Sequence, residues 1–436
     1  MTRTQSLLEF AGADHVLPDA VRADTLRLLA DTLAVGSAAV DAPGANEILQ
    51  AARLMGSGDE ARLLGTSEKL PAPAAAFVNG YRIHCLEWDA VHEPAVVHAL
   101  STVVAALGAA IDRRGGCDPD EALTALAVGV DVAAGVGLAA SSGVAFFRPA
   151  TAGVLGASLA VARIDGAPLD DTLGLAYSSA AGTMQAHVEG LATLPFQVAN
   201  AARAAITASD LAKAGFPGPK DPLEGPFGYF ALFDEGELAD YTDHLGSVWR
   251  ISEVSVKPYP SGRASHAALG KLEELALEPS QIASIELACP PLIRRLVARP
   301  YKEEMTPAYA RLCLQWLSAL MLTDGRIDPR RFTLKDMCNP DLAALAHKFA
   351  LVPDGNDDPN ALFPQSLTVT LADGTSTVHE IAATLGSPDN PLSVEQSGKR
   401  LGLARELSRT DIDPRIFEDP LDYFTRSQGH GCQSHD

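Results

Sequence analysis

Between Tyr81 and His98 the chain gathers Arg82, His84, Glu87, Asp89, His92, Glu93 and His98, while the helical segments on either side hold few charges. General acid–base catalysis needs a carboxylate or imidazole whose pKa is moved toward neutrality by burial or a neighbouring charge, and this run supplies both types together. Proton transfer is the chemistry it suggests. The pattern alone also fits the solvated face of one helix and its exit loop, the usual fate of a charge run.

Two further segments carry cations. Lys257, Arg263 and His266 fall within ten residues, in a Pro- and Gly-containing loop that should fix the backbone. Three cations so close would suit a carboxylate ligand, and they would equally suit a rigid surface turn. Arg148 precedes a glycine-containing helical segment from Thr151 whose free N–H groups can receive an anion, although an arginine beside a helix start is also an ordinary surface feature.

Other motifs fall away on spacing. His92-Glu93 followed by His98 is not the HExxH zinc pattern, because histidines six apart stand about 240° apart round a helix and Pro94 intervenes. Gly135 and Gly137 follow helical rather than strand sequence and lack a third glycine, and neither a P-loop nor a GxSxG elbow occurs. The six cysteines are scattered without a CxxC pair, so neither a zinc ribbon nor an iron–sulfur cluster is signalled. His430, Cys432 and His435 read as part of a polar tail. A metal-independent site is the default expectation.

The elements that must position these groups are legible in outline. The chain has 436 residues, 47% hydrophobic and 20% charged, enough to bury a large core in two or three domains. Its 34 Lys and Arg against 55 Asp and Glu give a net charge of −21, which repels phosphate backbones and anionic lipid. Nucleic-acid and membrane partners are not expected. Neither a leader-like apolar run at the start nor a long unbroken apolar stretch elsewhere is evident, and a reduced, cytoplasmic location is the expectation.

From Val21 to about Asp210 the sequence reads as helices rich in Ala, Leu, Val and Gly: Val21 to Val40, His98 to Arg113, Pro119 to Ala140, Thr151 to Ile164 and Leu169 to Met184. Asp118 before Pro119 is an N-cap signal. Small residues on most faces imply close packing inside a bundle. Near Trp249 the pattern changes. Trp249 to Lys257 alternates as a half-buried strand would, Ile282 to Cys289 is a second strand, and Ser366 to Ile381 is a hairpin about Asp373-Gly374. Helical patterns at His266 to Leu277 and Tyr309 to Met321 lie between them, and another follows at Val394 to Leu407. The expected fold is mainly α, an all-helical first region followed by an α+β region and a final helical stretch.

Taken in order, the segments resemble the MmgE/PrpD family, which includes 2-methylcitrate dehydratases, cis-aconitate decarboxylases and iminodisuccinate epimerases. FVNGYRIHCLEWDAVHEPAVVH from Phe77 is similar to FVNGxxxHxLDxDDxH followed by HPS, and FRPATAGVLGASLAVAR from Phe147 to FHPTATxGxxGAAxAAAR. The run from Leu211 to Phe230 resembles GFTGPxxxLEGxxGF, VKPYPSGRASHAALG resembles KPYPxCRxxHxAID, and GSPDNPLSVEQSGKR resembles GxPxNPLSxxExxxK. The resemblance implies a large all-helical domain (1–250 and 400–436) with an inserted, smaller, lid-like α+β domain (251–399), a homodimer without metal or organic cofactor, an active site between the two domains, and dehydration, decarboxylation or epimerisation next to a carboxylate.

Asp89, His92, His98, Lys257, Arg263 and His266 match the motifs, but Glu87 stands for the first motif Asp and Ala90 for its neighbour. Arg148 replaces the FHP histidine, Leu194 replaces a lysine, Gln197 replaces a histidine, and Trp316 stands about where some members place a tyrosine. Losing one charged hydrogen bond costs about 1.5–3 kcal/mol, and Arg cannot act as a base at neutral pH. The expectation is therefore a lyase or isomerase acting on a less heavily carboxylated small organic acid. His98 or His92 would be base or acid, Glu87 and Asp89 their partners, and Arg148, Lys257, Arg263, His266 and Gln197 would hold the substrate. The competing reading is a member that binds a metabolite or partner protein without catalysis.

Overall fold

Alanine and glycine at the helix contacts let the backbones of the N-terminal region approach closely. A Cβ on Gly156 would lie 2.1 Å from the carbonyl oxygen of Gly129, so the helices Pro119–Leu138 and Gly153–Asp165 meet backbone to backbone. Gly80 does the same for Ala72–His84 against Thr193–Lys213, where a Cβ would stand 3.2 Å from the Cα of Ala199. A computed structural model describes residues 2–426, and its architecture is mainly helical with a smaller α+β region. The tail histidines and Cys432 lie outside the described residues.

Two hydrophobic cores organise the chain. The first runs from Leu7 to Val256 and takes in Ala404, Ile416, Tyr423 and Phe424 from the C-terminal end. The second, from Tyr259 to Ile381, lies between those two parts in sequence. Its sheet has four strands in the order Phe349–Pro353, Ile282–Cys289, Gln365–Leu371, Ser376–Ile381, the first pair parallel and the others antiparallel. Helices His266–Leu275 and Leu314–Asp324 pack with it in the second core.

The last long helix, Val394–Leu407, opens on a capping box between Ser393 and Gln396 and returns to the helix Asp19–Ser37. Arg400 joins them through a buried ion pair with Asp31. The same guanidinium donates to the carbonyls of Trp88, at 2.8 Å, and Lys257, at 2.7 Å, and stacks over the Trp88 ring. One side chain thus ties the returning helix to both segments that carry the candidate site.

Several expected boundaries shift. The segment Trp249 to Lys257 is not a strand: Arg250–Glu253 is a 3-10 turn, and only Ser255 makes a β-bridge, to Val91. Val254, Ser255, Val256 and Lys257 are all buried, so the alternation there does not mark one wet face. The Leu169 helix ends at Ser178, short of Met184, and the chain then passes through Gly182 at φ 135°. The Tyr309 to Met321 pattern divides into Pro307–Ala310 and Leu314–Asp324. The hairpin loop spans four residues rather than two, with the Thr375 N–H bonded to Asp373 and Gly374 at φ 89°. Pro119–Leu138 is long and apolar enough to cross a membrane, yet 89% of its most apolar window is buried inside the fold.

Candidate active site

The run from Tyr81 to His98 is the end of one helix, a folded connection, and the start of the next. Helix Ala72–His84 stops at His84, and Glu87 then adopts a left-handed conformation, φ 54°. That conformation costs a non-glycine residue about 1–3 kcal/mol and concentrates where function requires it. Val91 and Ser255 exchange main-chain hydrogen bonds at 3.0 and 2.9 Å, fastening the connection to the segment that ends in Lys257. His92 and Val97 close a small loop, and His98 sits at the N-cap of Ala99–Arg114. His84 and His98 therefore flank Asp89 from two helix ends.

The carboxylate of Asp89 is the centre of the cluster. Its Oδ2 lies 2.8 Å from His84 Nδ1 and 3.0 Å from His98 Nδ1, and accepts a short hydrogen bond from the Ser101 hydroxyl. The two imidazoles meet edge to face with centroids 4.8 Å apart. Lys257 Nζ stands 3.8 Å from Asp89 Oδ1 and 3.4 Å from Glu87 Oε2, and donates to the Glu87 carbonyl at 3.1 Å. His84 Nε2 is 3.8 Å from Glu87 Oε1 and has no hydrogen-bond partner. Asp89 and Lys257 are wholly buried.

This environment moves the two imidazoles in opposite directions. Burial alone would push His84 down, but Asp89 and then Glu87 outweigh it and raise its pKa. Burial also pushes His98 down; there the Asp89 charge only partly offsets it, Lys257 adds to it, and the pKa is lowered. Burial would raise both carboxylates, yet His84, His98 and Lys257 hold Asp89 well below its ordinary range, and Lys257 followed by the histidines lowers Glu87. The arrangement favours a charged His84 beside a neutral His98, one acid and one base sharing a carboxylate.

His84, Asp89 and His98 also offer three potential ligand atoms within 4.8 Å of one another, a donor set a divalent metal can use. Two features oppose a dication there. Asp89 Oδ2 already accepts from His84 and Ser101, and the Lys257 ammonium stands beside the same carboxylate.

His84, Glu87 and His98 open onto a cavity of about 880 Å³, mouth included. Phe147 and Leu194 of the first core and Ile293, Val297 and Leu312 of the second line it, so it lies between the two cores. Most of its wall is apolar. Arg263 is the one Lys or Arg among the lining residues, and its guanidinium pairs with Glu93 at 2.7 Å and donates to the Leu385 carbonyl.

Of the residues expected at the site, Glu87, Asp89, His98, Lys257 and Arg263 converge here, and the others do not. His92 turns to Glu253 at 3.0 Å, and its Nδ1 accepts the Ala95 N–H, which leaves no ring nitrogen for a substrate. Arg148 is buried and neutralised by Asp234 at 2.9 Å, so it is not a free anion holder, although Phe147 and Pro149 on either side line the cavity. His266 is buried against Ser261, and burial followed by Arg263 and Lys257 holds it far below an ordinary imidazole. Gln197 is occupied by both main-chain groups of Thr183. Lys257 sits behind the carboxylates and sets their charge. His84 and Ser101 were not singled out from sequence as acting residues, although His84 lies inside the charged run. Arg400, at the end of the last matched motif, was also missed.

The comparisons agree with this two-part layout. A family model described as the MmgE/PrpD N-terminal domain matches residues 13–242, and one described as the MmgE/PrpD C-terminal domain matches residues 259–399. The chain belongs to the MmgE/PrpD family. Among its relatives, a cis-aconitate decarboxylase of Mus musculus is 26% identical over 438 residues, covering 93% of this chain and 88% of that protein. The Homo sapiens cis-aconitate decarboxylase is 27% identical over 402 residues, 87% and 82% of the two chains. A cis-aconitate decarboxylase-like protein, oryM, of Aspergillus oryzae is 25% identical over 441 residues, 91% and 89%. In this MmgE/PrpD protein the cavity and the His84–Asp89–His98 cluster lie where residues of both matched domains meet, since Arg263, Leu312 and Gln365 of the second line the same space.

Proposed function

We propose that this MmgE/PrpD protein is a lyase or isomerase that moves a proton at a carbon next to a carboxylate of a small organic acid. The observation that carries the reading is the pair of imidazoles sharing Asp89 Oδ2 at the wall of a largely apolar cavity, one favoured in its charged form and the other neutral. His98, with Nδ1 turned to Asp89, presents Nε2 as the base. His84 is the acid, its Nε2 buried 3.8 Å from Glu87 Oε1 at the cavity wall. Asp89 orients both rings, and Lys257 keeps Asp89 and Glu87 ionised without reaching the substrate. The apolar wall excludes water, which strengthens each of these interactions.

The named relatives support a lyase, while the lining residues argue against a tricarboxylate here. Leu194 stands where the family has a lysine, and the guanidinium of Arg263 is already paired. The test is turnover of a panel of mono-, di- and tricarboxylic acids and their hydroxy and unsaturated derivatives, followed by proton exchange at the α-carbon in deuterated water. Turnover or exchange that His98→Asn abolishes supports the reading. A folded protein that neither converts nor exchanges any acid sinks it. The proposed assembly is a homodimer, which the molar mass in solution tests.

A further inference from the structure

A second chamber adjoins the first, and Glu87, His187, Leu194 and Leu312 line both. Its own wall carries Arg299 and Arg311, from the two stretches that precede and follow the short helix Pro307–Ala310. Arg311 is 3% exposed. It donates to the Cys85 carbonyl at 2.9 Å and stacks over Phe332, and its Nε has no partner. Arg299, half-buried, donates only to main-chain carbonyls, those of His187, Ala308 and Tyr309. Among the described residues neither guanidinium has a carboxylate within ion-pair distance.

Arg148 and Arg400, equally buried, are neutralised by Asp234 and Asp31, while Arg82, 1% exposed, also lacks an ion pair among the described residues and donates to the Leu64 carbonyl away from both chambers. Burying a guanidinium without a counter-charge is costly, and a protein with a net charge of −21 has carboxylates to spare. The one carboxylate on the chamber wall is Glu87, already held by Lys257. Two guanidiniums facing a cavity beside one committed carboxylate leave room for one more negative charge.

The geometry points to an anion site: Arg299 and Arg311 hold the carboxylate of a monocarboxylic acid whose α-carbon lies at the junction where Glu87 and Leu194 line both chambers, and whose apolar body extends into the first cavity. This rests on the reading of that cavity as the reaction site, and it names the substrate class. A second carboxylate on the same molecule would be driven into a wall of mostly Val, Leu, Ile and Phe side chains, whose one arginine, Arg263, is already paired with Glu93.

Calorimetric titration of the full-length protein with straight-chain monocarboxylates from acetate to octanoate, the matching α,ω-dicarboxylates and the matching primary alcohols tests it. Expected are affinities that rise with chain length among the monocarboxylates and exceed those of the dicarboxylates. Arg299→Gln should weaken monocarboxylate binding at least about tenfold, the size of one charge-assisted hydrogen bond, and leave alcohol binding unchanged. Arg299 is the variant of choice because it is only half-buried; Arg311→Lys, which retains the charge, should lose less than Arg311→Met. Equal monocarboxylate affinity in Arg299→Gln and wild type, preference for dicarboxylates, or no binding of any acid overturns the proposal. Arg299-dependent binding without turnover of any acid removes the catalytic reading and leaves the anion site standing.

Discussion

Arg400, on the last long helix, donates its Nε to the main-chain carbonyl of Lys257 at 2.7 Å, across 143 residues of chain. Its other nitrogens hold Asp31 and the Trp88 carbonyl, so one buried guanidinium sets the height of Lys257 and of the connection that carries Glu87 and Asp89. Removing one partner of a buried ion pair costs about 3–5 kcal/mol because the other charge is left unpaired. Arg400→Met should destabilise the fold by about that amount in chemical denaturation. Burial, outweighing Arg400, raises the Asp31 pKa, so adding Asp31→Asn should recover part of the loss. A fully stable Arg400→Met protein would remove Arg400 from this role.

His98 and His84 should separate by what their loss does. Replacing a general base typically lowers turnover about 10²–10⁴-fold. His98→Asn is expected to lose turnover in that range with its thermal stability largely kept, since the His98 side chain is 12% exposed against 1% for His84. His84→Asn should lose turnover and stability together, because His84 is the better-bonded partner of Asp89. Equal activity in His98→Asn and wild type would exclude it as the base. In wild type, activity should fall on the acid side, as His98 takes up a proton, and again on the alkaline side, as His84 loses one.

Stability should follow a linked pH profile. The folded pKa of His84 is raised, so its contribution is fully present below the unfolded value of about 6.5 and is lost as pH rises through the folded one. His98, His187 and His266 are lowered; burial first, and Arg299 next, takes His187 to about 4. For these three the unfolded chain binds protons first, so they withdraw stability as pH falls from about 6.5 toward each folded value. His187→Gln should flatten the loss between about pH 6.5 and 4, measured by denaturation across that range. An unchanged slope would mean His187 is solvated.

Arg148 and Asp234 form a pair whose side chains are each 1% exposed. Arg148→Met should therefore destabilise by about 3–5 kcal/mol, and Arg148→Met with Asp234→Leu should restore most of the stability and the substrate affinity. If Arg148 held the substrate anion, the double variant would be stable and still fail to bind, which substrate titration of the refolded protein distinguishes.

Much of this was legible in the sequence because it depends on local chemistry. Ala- and Gly-rich helical periodicity announced the bundle, the alternation of Leu367 and Val369 announced the hairpin, and the charged run with its family motifs pointed to the cluster in which Glu87, Asp89 and His98 come together. What only the tertiary structure decided is which way each charged side chain turns. His92 and Arg148 match the expected positions, yet long-range partners, Glu253 and Asp234, take them away from the cavity. His84 and Arg400 gain their roles from contacts that no spacing rule anticipates. The sequence lists the ionisable groups, but only the fold pairs them, and in a buried, low-dielectric site the pairing decides which charges are spent and which remain for a substrate.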